Sequence, residues 1–259
     1  MAIKKPARAA EETVEVLRVE QGEITAYVLG TSPLILNRMP EKAWRELLAP
    51  LKKSAADKAA NAKHDPMAEF RASPYRMPRD NDPTLIAQIG SAFKKAIAQA
   101  AIDMPGSATK AQMGRLTFVP DQLIAIYGTP QIFCSIVRSA DQNKTPDVRT
   151  RCIVPKWAAK LRVRFVKPML KEQPVVNLLA AAGVYCGVGD WRPEKGAGSF
   201  GQFELVSADD ERFAQIIETG GRAAQIAAMA DPDAFDSETQ ELLDWFGPEM
   251  KRRGFKVAA

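Results

Sequence analysis

Basic and apolar side chains alternate strictly along KLRVRFV, residues 160–166. Successive side chains of a β-strand point to opposite faces of a sheet, so this period of two predicts a strand. Leu161, Val163 and Phe165 are expected on the apolar face. The opposite face carries three basic residues, namely Lys160, Arg162 and Arg164.

These three cations form a row with a spacing of about 6.6 Å, near the phosphate spacing of a single nucleic-acid strand. Further basic and aromatic residues precede them in the chain: Arg149, Arg151, Lys156 and Trp157. Single-strand binding needs cations for the phosphates and an aromatic ring that stacks on any base. The pattern therefore predicts nucleic-acid binding, and the alternative is an ordinary solvated sheet face.

A glycine-rich segment, GVGDWRPEKGAGSFG at 187–201, is the second candidate site. It has neither the GxGxxG spacing of a dinucleotide-binding loop nor the GK[ST] of a P-loop. Arg192 and Lys195 are candidates for phosphate contacts, and Trp191 is a candidate for stacking on a base. The alternative is a hairpin-like connection whose tryptophan packs on the core.

The remaining pattern predicts one α/β core with insertions. Strand-like segments at 13–20 and 23–30 are separated by Gln21-Gly22, and an apolar stripe at i, i+4, i+8 and i+12 predicts a helix over 83–102. The segments 103–114 and 138–151 are predicted to be loops.

We expect the chain to divide into a core and two flanking parts. The core spans 13–206, with insertions at 38–82 and 105–150. A flexible basic arm at 1–12 precedes it, and a helical segment at 207–259 follows it.

Composition limits the chemistry and the compartment. The net charge of +5 favours an anionic partner. Cys134, Cys152 and Cys186 lie far apart in apolar surroundings, which indicates buried thiols in a reducing, cytoplasmic compartment. The chain has a single histidine, His64, and its carboxylates do not cluster. We therefore expect no catalytic residues, no metal and no cofactor.

Membrane association is not expected either. The basic N-terminus is not followed by the apolar stretch of a signal peptide. No run approaches the roughly 18 apolar residues that a membrane-spanning helix requires.

Three segments, in order, resemble the RAMP superfamily of CRISPR-associated proteins. ITAYVLGTSPLILNRM at 24–39 resembles the family's first strand and its exit. Residues 90–96 resemble the Gly-Ser-x-x-Lys-x-Ala motif that opens the first RRM helix. Residues 187–206 resemble the C-terminal glycine-rich loop and the strand after it. The chain is most similar to the backbone subunits of Cascade-type effector complexes, and the alternative is a solitary phage relative with the same palm.

The resemblance implies a modified RRM-like (ferredoxin-like) palm that binds guide RNA without catalysis. It also implies head-to-tail assembly of copies along the strand, together with other effector subunits. Lys94 and Lys95, in the helix motif, join the candidates for phosphate contacts. The segment 40–63 and a group of C-terminal apolar residues are candidates for contacts between copies: Leu242, Leu243, Trp245 and Phe246. Alternatively, the last helix covers the open face of the sheet.

Two other functions stay open at this stage. A phage protein that coats or anneals single-stranded DNA would use the same cations. An RNA endonuclease of the same superfamily would need a loop acid or a histidine, for which His64, Asp141, Asp147 and Asp190 are the candidates.

Overall fold

A four-stranded antiparallel sheet forms the centre of the protein in the computed structural model, which describes residues 17–49, 64–104, 106, 109–138, 146–195 and 198–254. The strands are β1 (Glu20–Gly30), β5 (Thr117–Phe118), β9 (Ala158–Lys167) and β10 (Phe203–Val206), in the order β10-β1-β9-β5. Helix α3 (Gly90–Ala100) connects β1 to β5, and α5 (Glu172–Ala181) connects β9 to β10. This βαββαβ order is that of a ferredoxin-like, RRM-like palm, which confirms the predicted fold.

The core lies between this sheet and the two helices. The residues buried there include Ile24 and Val28 of β1, the apolar residues of β9, Phe93 of α3 and Leu179 of α5. Strand β9 buries every second residue between Leu161 and Phe165, as its alternating sequence predicts.

Strand β1 is continuous, so the prediction of two strands separated at Gln21-Gly22 is wrong. Gly22 lies opposite Phe165 in the register, and a Cβ on Gly22 would lie 2.5 Å from that ring. The glycine accommodates a neighbouring aromatic side chain and does not form a turn. Residues 13–16 of the first predicted strand lie outside the described residues.

The helix predicted over 83–102 begins only at Gly90. Before it lies β4 (Ile86–Ile89), which pairs with β3 (Tyr75–Arg76) and with β6 (Leu123–Ala125). Gly90 donates its N–H to the carbonyl of Gln122 (2.8 Å), and a Cβ at this position would collide with the backbone of Asp121. The chain therefore changes from strand to helix at a residue that has no side chain.

Two predicted loops contain regular structure. Helix α4 (Lys110–Leu116) begins at a capping box formed by Thr109 and Gln112. The second loop lies largely within a hairpin of β7 (Gln131–Arg138) and β8 (Pro146–Val154), whose connection at 139–145 lies outside the described residues. Arg149 and Arg151 are therefore strand residues.

Strand β8 also pairs with β2 (Leu34–Leu36), which gives the three-stranded sheet β2-β8-β7. The first inserted segment includes α1 (Glu41–Leu48) and α2 (Pro66–Ala72). The predicted insertion at 105–150 included β5, which pairs with β9 in the palm. The predicted arm at 1–12 lies outside the described residues.

The C-terminal part is helical, as predicted. It consists of α6 (Glu211–Thr219), α7 (Arg222–Ala230) and α8 (Ser237–Arg252). Phe213 of α6 packs against Tyr27 and Leu29, so α6, not the last helix, covers one end of the open palm face. Helix α8 instead lies beside β7, where Thr239 Oγ1 accepts the N–H of Cys134 (3.1 Å). Within the described ranges no helix has the length and apolarity needed to cross a membrane.

Candidate nucleic-acid interface

A cleft of about 240 Å³ opens where α3 begins. Its walls come from parts of the chain that are distant in sequence: the exit of β2, strands β3 and β4, the first turn of α3, and the glycine-rich loop. Polar residues of the first four are Asn37, Tyr75, Gln88, Ser91 and Lys95. The loop contributes Asp190, Arg192 and Glu194.

The glycine-rich loop is held against β2 by its backbone. It follows a π-helical turn at Ala182–Cys186, a feature that is frequent at functional sites. Asp190 donates its N–H to the carbonyl of Ile35 (2.9 Å), and Val188 donates to the carbonyl of Gly201 (2.9 Å). Trp191 has a φ of 51°, a left-handed conformation that is uncommon outside glycine. These contacts fix the positions of Asp190 and Arg192 at the cleft.

A buried arginine and a half-buried arginine stabilise the loop wall. Arg151 is 4% exposed and pairs with Asp190 (3.2 Å), whose Oδ2 also accepts the amide of Asn37 (3.0 Å). Burial lowers the pKa of Arg151, and the nearby Asp190 carboxylate opposes that shift. Arg192 donates to Glu194 (2.7 Å) and to the carbonyl of Gly189 (2.9 Å). The carboxylates thus offset much of the positive charge at this wall.

Among the predicted residues, the structure brings Lys95 and Arg192 together at the cleft. Lys95 is exposed and forms no ion pair with any described residue. Gln88, Ser91 and Asp190 adjoin them, and neither Gln88 nor Ser91 was predicted to bind nucleic acid. The helix motif, which includes Ser91, is the sequence signal that points to this residue. Gln88 lies outside the motif, in a segment that was predicted to be helical but is a strand.

The row of cations on β9 lies on the other side of the palm sheet from the core. Arg162 donates to Asp121 (3.0 Å), and Arg164 donates to Glu23 (2.6 Å). The hydrogen bond to Asp121 raises the pKa of Arg162. Lys160 lies over the ring of Tyr27, 5.7 Å from its centroid. Two of the three predicted phosphate ligands therefore already have carboxylate partners.

Trp157 is fully buried, so the prediction that it stacks on a base is wrong. Its ring packs against Phe203 in the core, and its Nε1 donates to the carbonyl of Ser32 (2.9 Å). Lys156, the preceding residue, is exposed. The two side chains are adjacent in sequence but do not form one surface.

Trp191 is half-buried against Phe133 and Phe200, at centroid distances of 6.3 and 6.1 Å. The guanidinium of Arg151 lies 5.4 Å from the ring centroid. This arrangement corresponds to the alternative in which the loop tryptophan packs on the protein.

The other predicted cations are dispersed. Lys94 lies over the ring of Phe118, 4.8 Å from its centroid and away from the cleft lining. Arg149 is exposed on β8, and Lys195 is exposed in the 3-10 turn at Pro193–Lys195.

Comparisons with known proteins add little. No family model matches the chain, and no curated protein matches it. The crystal structure of Cmr6 from Pyrococcus furiosus is similar over 72% of this chain and 99% of that chain, with 11% identity and a TM-score of 0.29. A similarity this low carries no functional argument, and the fold assignment rests on the strand order of the palm.

Proposed function

We propose that this chain is a non-catalytic subunit of a CRISPR-type ribonucleoprotein and binds single-stranded guide RNA at the rim of the cleft. One observation carries the proposal: the three segments that resemble the RAMP superfamily meet there. Asn37 lies in the first segment, Ser91 and Lys95 lie in the helix motif, and Asp190 and Arg192 lie in the glycine-rich loop. Convergence of three distant motifs favours a shared binding role over three separate structural ones.

The rim has suitable groups for phosphates. Lys95 is exposed and pairs with no carboxylate of the described residues, and Ser91 is exposed as well. Both lie in the first two turns of α3, whose N-terminal N–H groups and dipole favour anions. Lys195 is exposed in the 3-10 turn at Pro193–Lys195 and is a further candidate for a phosphate contact.

A salt series with a labelled RNA strand tests this role. The logarithm of the binding constant should fall linearly with the logarithm of salt concentration, because bound cations release counterions. Lys95→Ala should weaken binding and make the slope shallower by about 0.7, the value for one contact with a single strand. Lys171→Ala is the matched control, since Lys171 follows the β9 end that pairs with Glu20, at the far end of β1 from the cleft. Affinity that is independent of salt would reject the proposal.

The identity of the nucleic acid is tested separately. The 2′-hydroxyl distinguishes RNA from DNA, so matched RNA and DNA strands should compete unequally, with RNA preferred. A discrete RNA of uniform length should also co-purify with the protein from its host. Equal affinity and heterogeneous bound DNA would instead support the coating or annealing function.

The environment of His64 supports a non-catalytic role. Its Nδ1 lies 2.9 Å from Glu69, and its Nε2 lies 3.1 Å from Asp147. Both ring nitrogens are therefore engaged by carboxylates, which leaves none for a substrate hydroxyl. Within the described ranges, no group of three or more metal-ligating side chains is arranged to hold a metal ion. Labelled RNA incubated with the protein and divalent metal should remain intact, and metal-dependent cleavage lost in an acid-to-amide variant would overturn this part.

A further inference from the structure

We infer that the interior of the cleft holds one unstacked nucleobase of the bound strand, with the phosphates remaining at the rim. The inference rests on the proposed single-strand binding and specifies which part of the strand enters the cleft. Its volume of about 240 Å³ corresponds to about eight water molecules at about 30 Å³ each. That space is large enough for one planar ring system.

Gln88 provides the main observation. It is only 5% exposed, and it lines the cleft. Its Oε1 accepts the N–H of Ile89 (2.9 Å), which fixes the amide orientation and leaves Nε2 as the other polar group. Within the described ranges, Nε2 has no hydrogen-bond partner. This nitrogen is not among the fully buried unpaired atoms of the described residues, so it is reached from the cleft and can donate to an acceptor of a ligand.

Asp190 offers the complementary group. Its Oδ2 is taken by Asn37 and Arg151, while Oδ1 has no partner among the described residues. A carboxylate oxygen only accepts hydrogen bonds. The cleft therefore presents both a donor, at Gln88, and an acceptor, at Asp190. The edge of a nucleobase carries acceptors and N–H donors side by side.

The charge of the walls favours a neutral occupant over a phosphate. Asp190 and Glu194 place two carboxylates in the lining, paired with Arg151 and Arg192 respectively, and Lys95 lies towards the rim. A phosphate inside would approach two carboxylates, whereas a neutral base would not be repelled. Tyr75 is half-buried in the wall and adds an aromatic surface for a ring. The size, the hydrogen-bonding groups and the charge of the cleft therefore all favour a base as its occupant.

An abasic strand distinguishes the base from the backbone. RNA oligonucleotides of equal length, with bases and with abasic sugars, are titrated against the wild-type chain and Gln88→Met. We expect the abasic strand to bind the wild type about tenfold more weakly. We expect Gln88→Met to lose about fivefold to tenfold in affinity for the normal strand and to bind the abasic strand as the wild type does. Gln173→Met, on α5 beside the control lysine, should change neither.

Gln88→Glu is the second variant, because it keeps the oxygen that accepts from Ile89 and removes the amide donor. Circular dichroism checks its fold, and the folded variant should also lose the preference for the strand with bases. Equal binding of the two strands by the wild type would overturn the inference while leaving the proposed function intact. An equal loss for both strands in Gln88→Met would overturn it as well. Absence of binding to either strand by the wild type would reject the proposed function itself.

Discussion

The side-chain oxygen of Gln225 accepts the backbone N–H of Ile86 at 3.0 Å, across 139 residues of sequence. The same oxygen accepts the N–H of Leu85 (2.8 Å), and the amide nitrogen donates to the carbonyls of Ile126, Gly128 and Gly220. Gln225 is completely buried. One side chain on α7 thus satisfies the backbone at the start of β4, the strand that leads into the cleft, and just after β6, which pairs with it.

Gln225→Leu should therefore lower the free energy of unfolding by at least about 3 kcal/mol, because several buried backbone groups lose their partner at once. Urea denaturation monitored by circular dichroism measures the change. Gln215→Leu, on the exposed part of α6, is the matched control and should stay within about 0.5 kcal/mol of the wild type. A small effect at Gln225 would mean that the five hydrogen bonds of its carboxamide contribute little to the free energy of unfolding.

Gln225 also explains why the helix predicted over 83–102 begins only at Gly90. The apolar spacing from Leu85 onward fits a helix. In the structure, the carboxamide of Gln225 bonds the backbone of Leu85 and Ile86 and keeps this segment extended. Local periodicity cannot detect such a contact between residues distant in sequence. The strand β9 was predictable because its pattern has a period of two and one face is buried. The start of α3 was recognisable through the motif at Gly90, which depends on a close backbone approach.

The site was predicted only in part. Lys95 and Arg192 lie in the motifs that the sequence offered, and the structure brings them together. Gln88 and Tyr75 carry no signal in a single sequence, since their roles arise from tertiary packing. The basic row on β9 was correctly placed on a strand, but sequence alone could not show that Asp121 and Glu23 pair with it.

Arg162 and Arg164 provide a test of which surface binds the strand. Their carboxylate partners already neutralise them, so the double variant Arg162→Ala/Arg164→Ala should leave the salt slope of RNA binding within about 0.3 of the wild type. Exposed ion pairs contribute about 0–1 kcal/mol each, so stability should change little. A slope shallower by about 1.4, equivalent to two phosphate contacts, would move the interface from the cleft to the open face of the palm.

Buried cysteines should make stability depend on alkaline pH. Burial raises the pKa of Cys186 from 9.0 to about 11, and it also raises the pKa of Cys134 and Cys152. Above pH 9 the unfolded chain loses thiol protons that the folded chain retains, so the unfolded state is favoured as pH rises from about 9 to about 11. The urea midpoint should fall across this range, and Cys186→Ala should reduce the fall. An unchanged midpoint would contradict the burial of these thiols.

The final prediction concerns assembly on the strand. Two exposed apolar groups lie on different helices: Trp44, Leu47 and Leu48 on α1, and Leu242 and Trp245 on α8. Head-to-tail contact between copies needs two different surfaces, and copies so joined form an open filament when the rotation does not close. Light scattering should show a mass that rises stepwise with RNA length. Trp44→Ala or Trp245→Ala should abolish the steps while single-site affinity on a short strand persists. One protein per strand at every length, under saturating protein, would refute the filament.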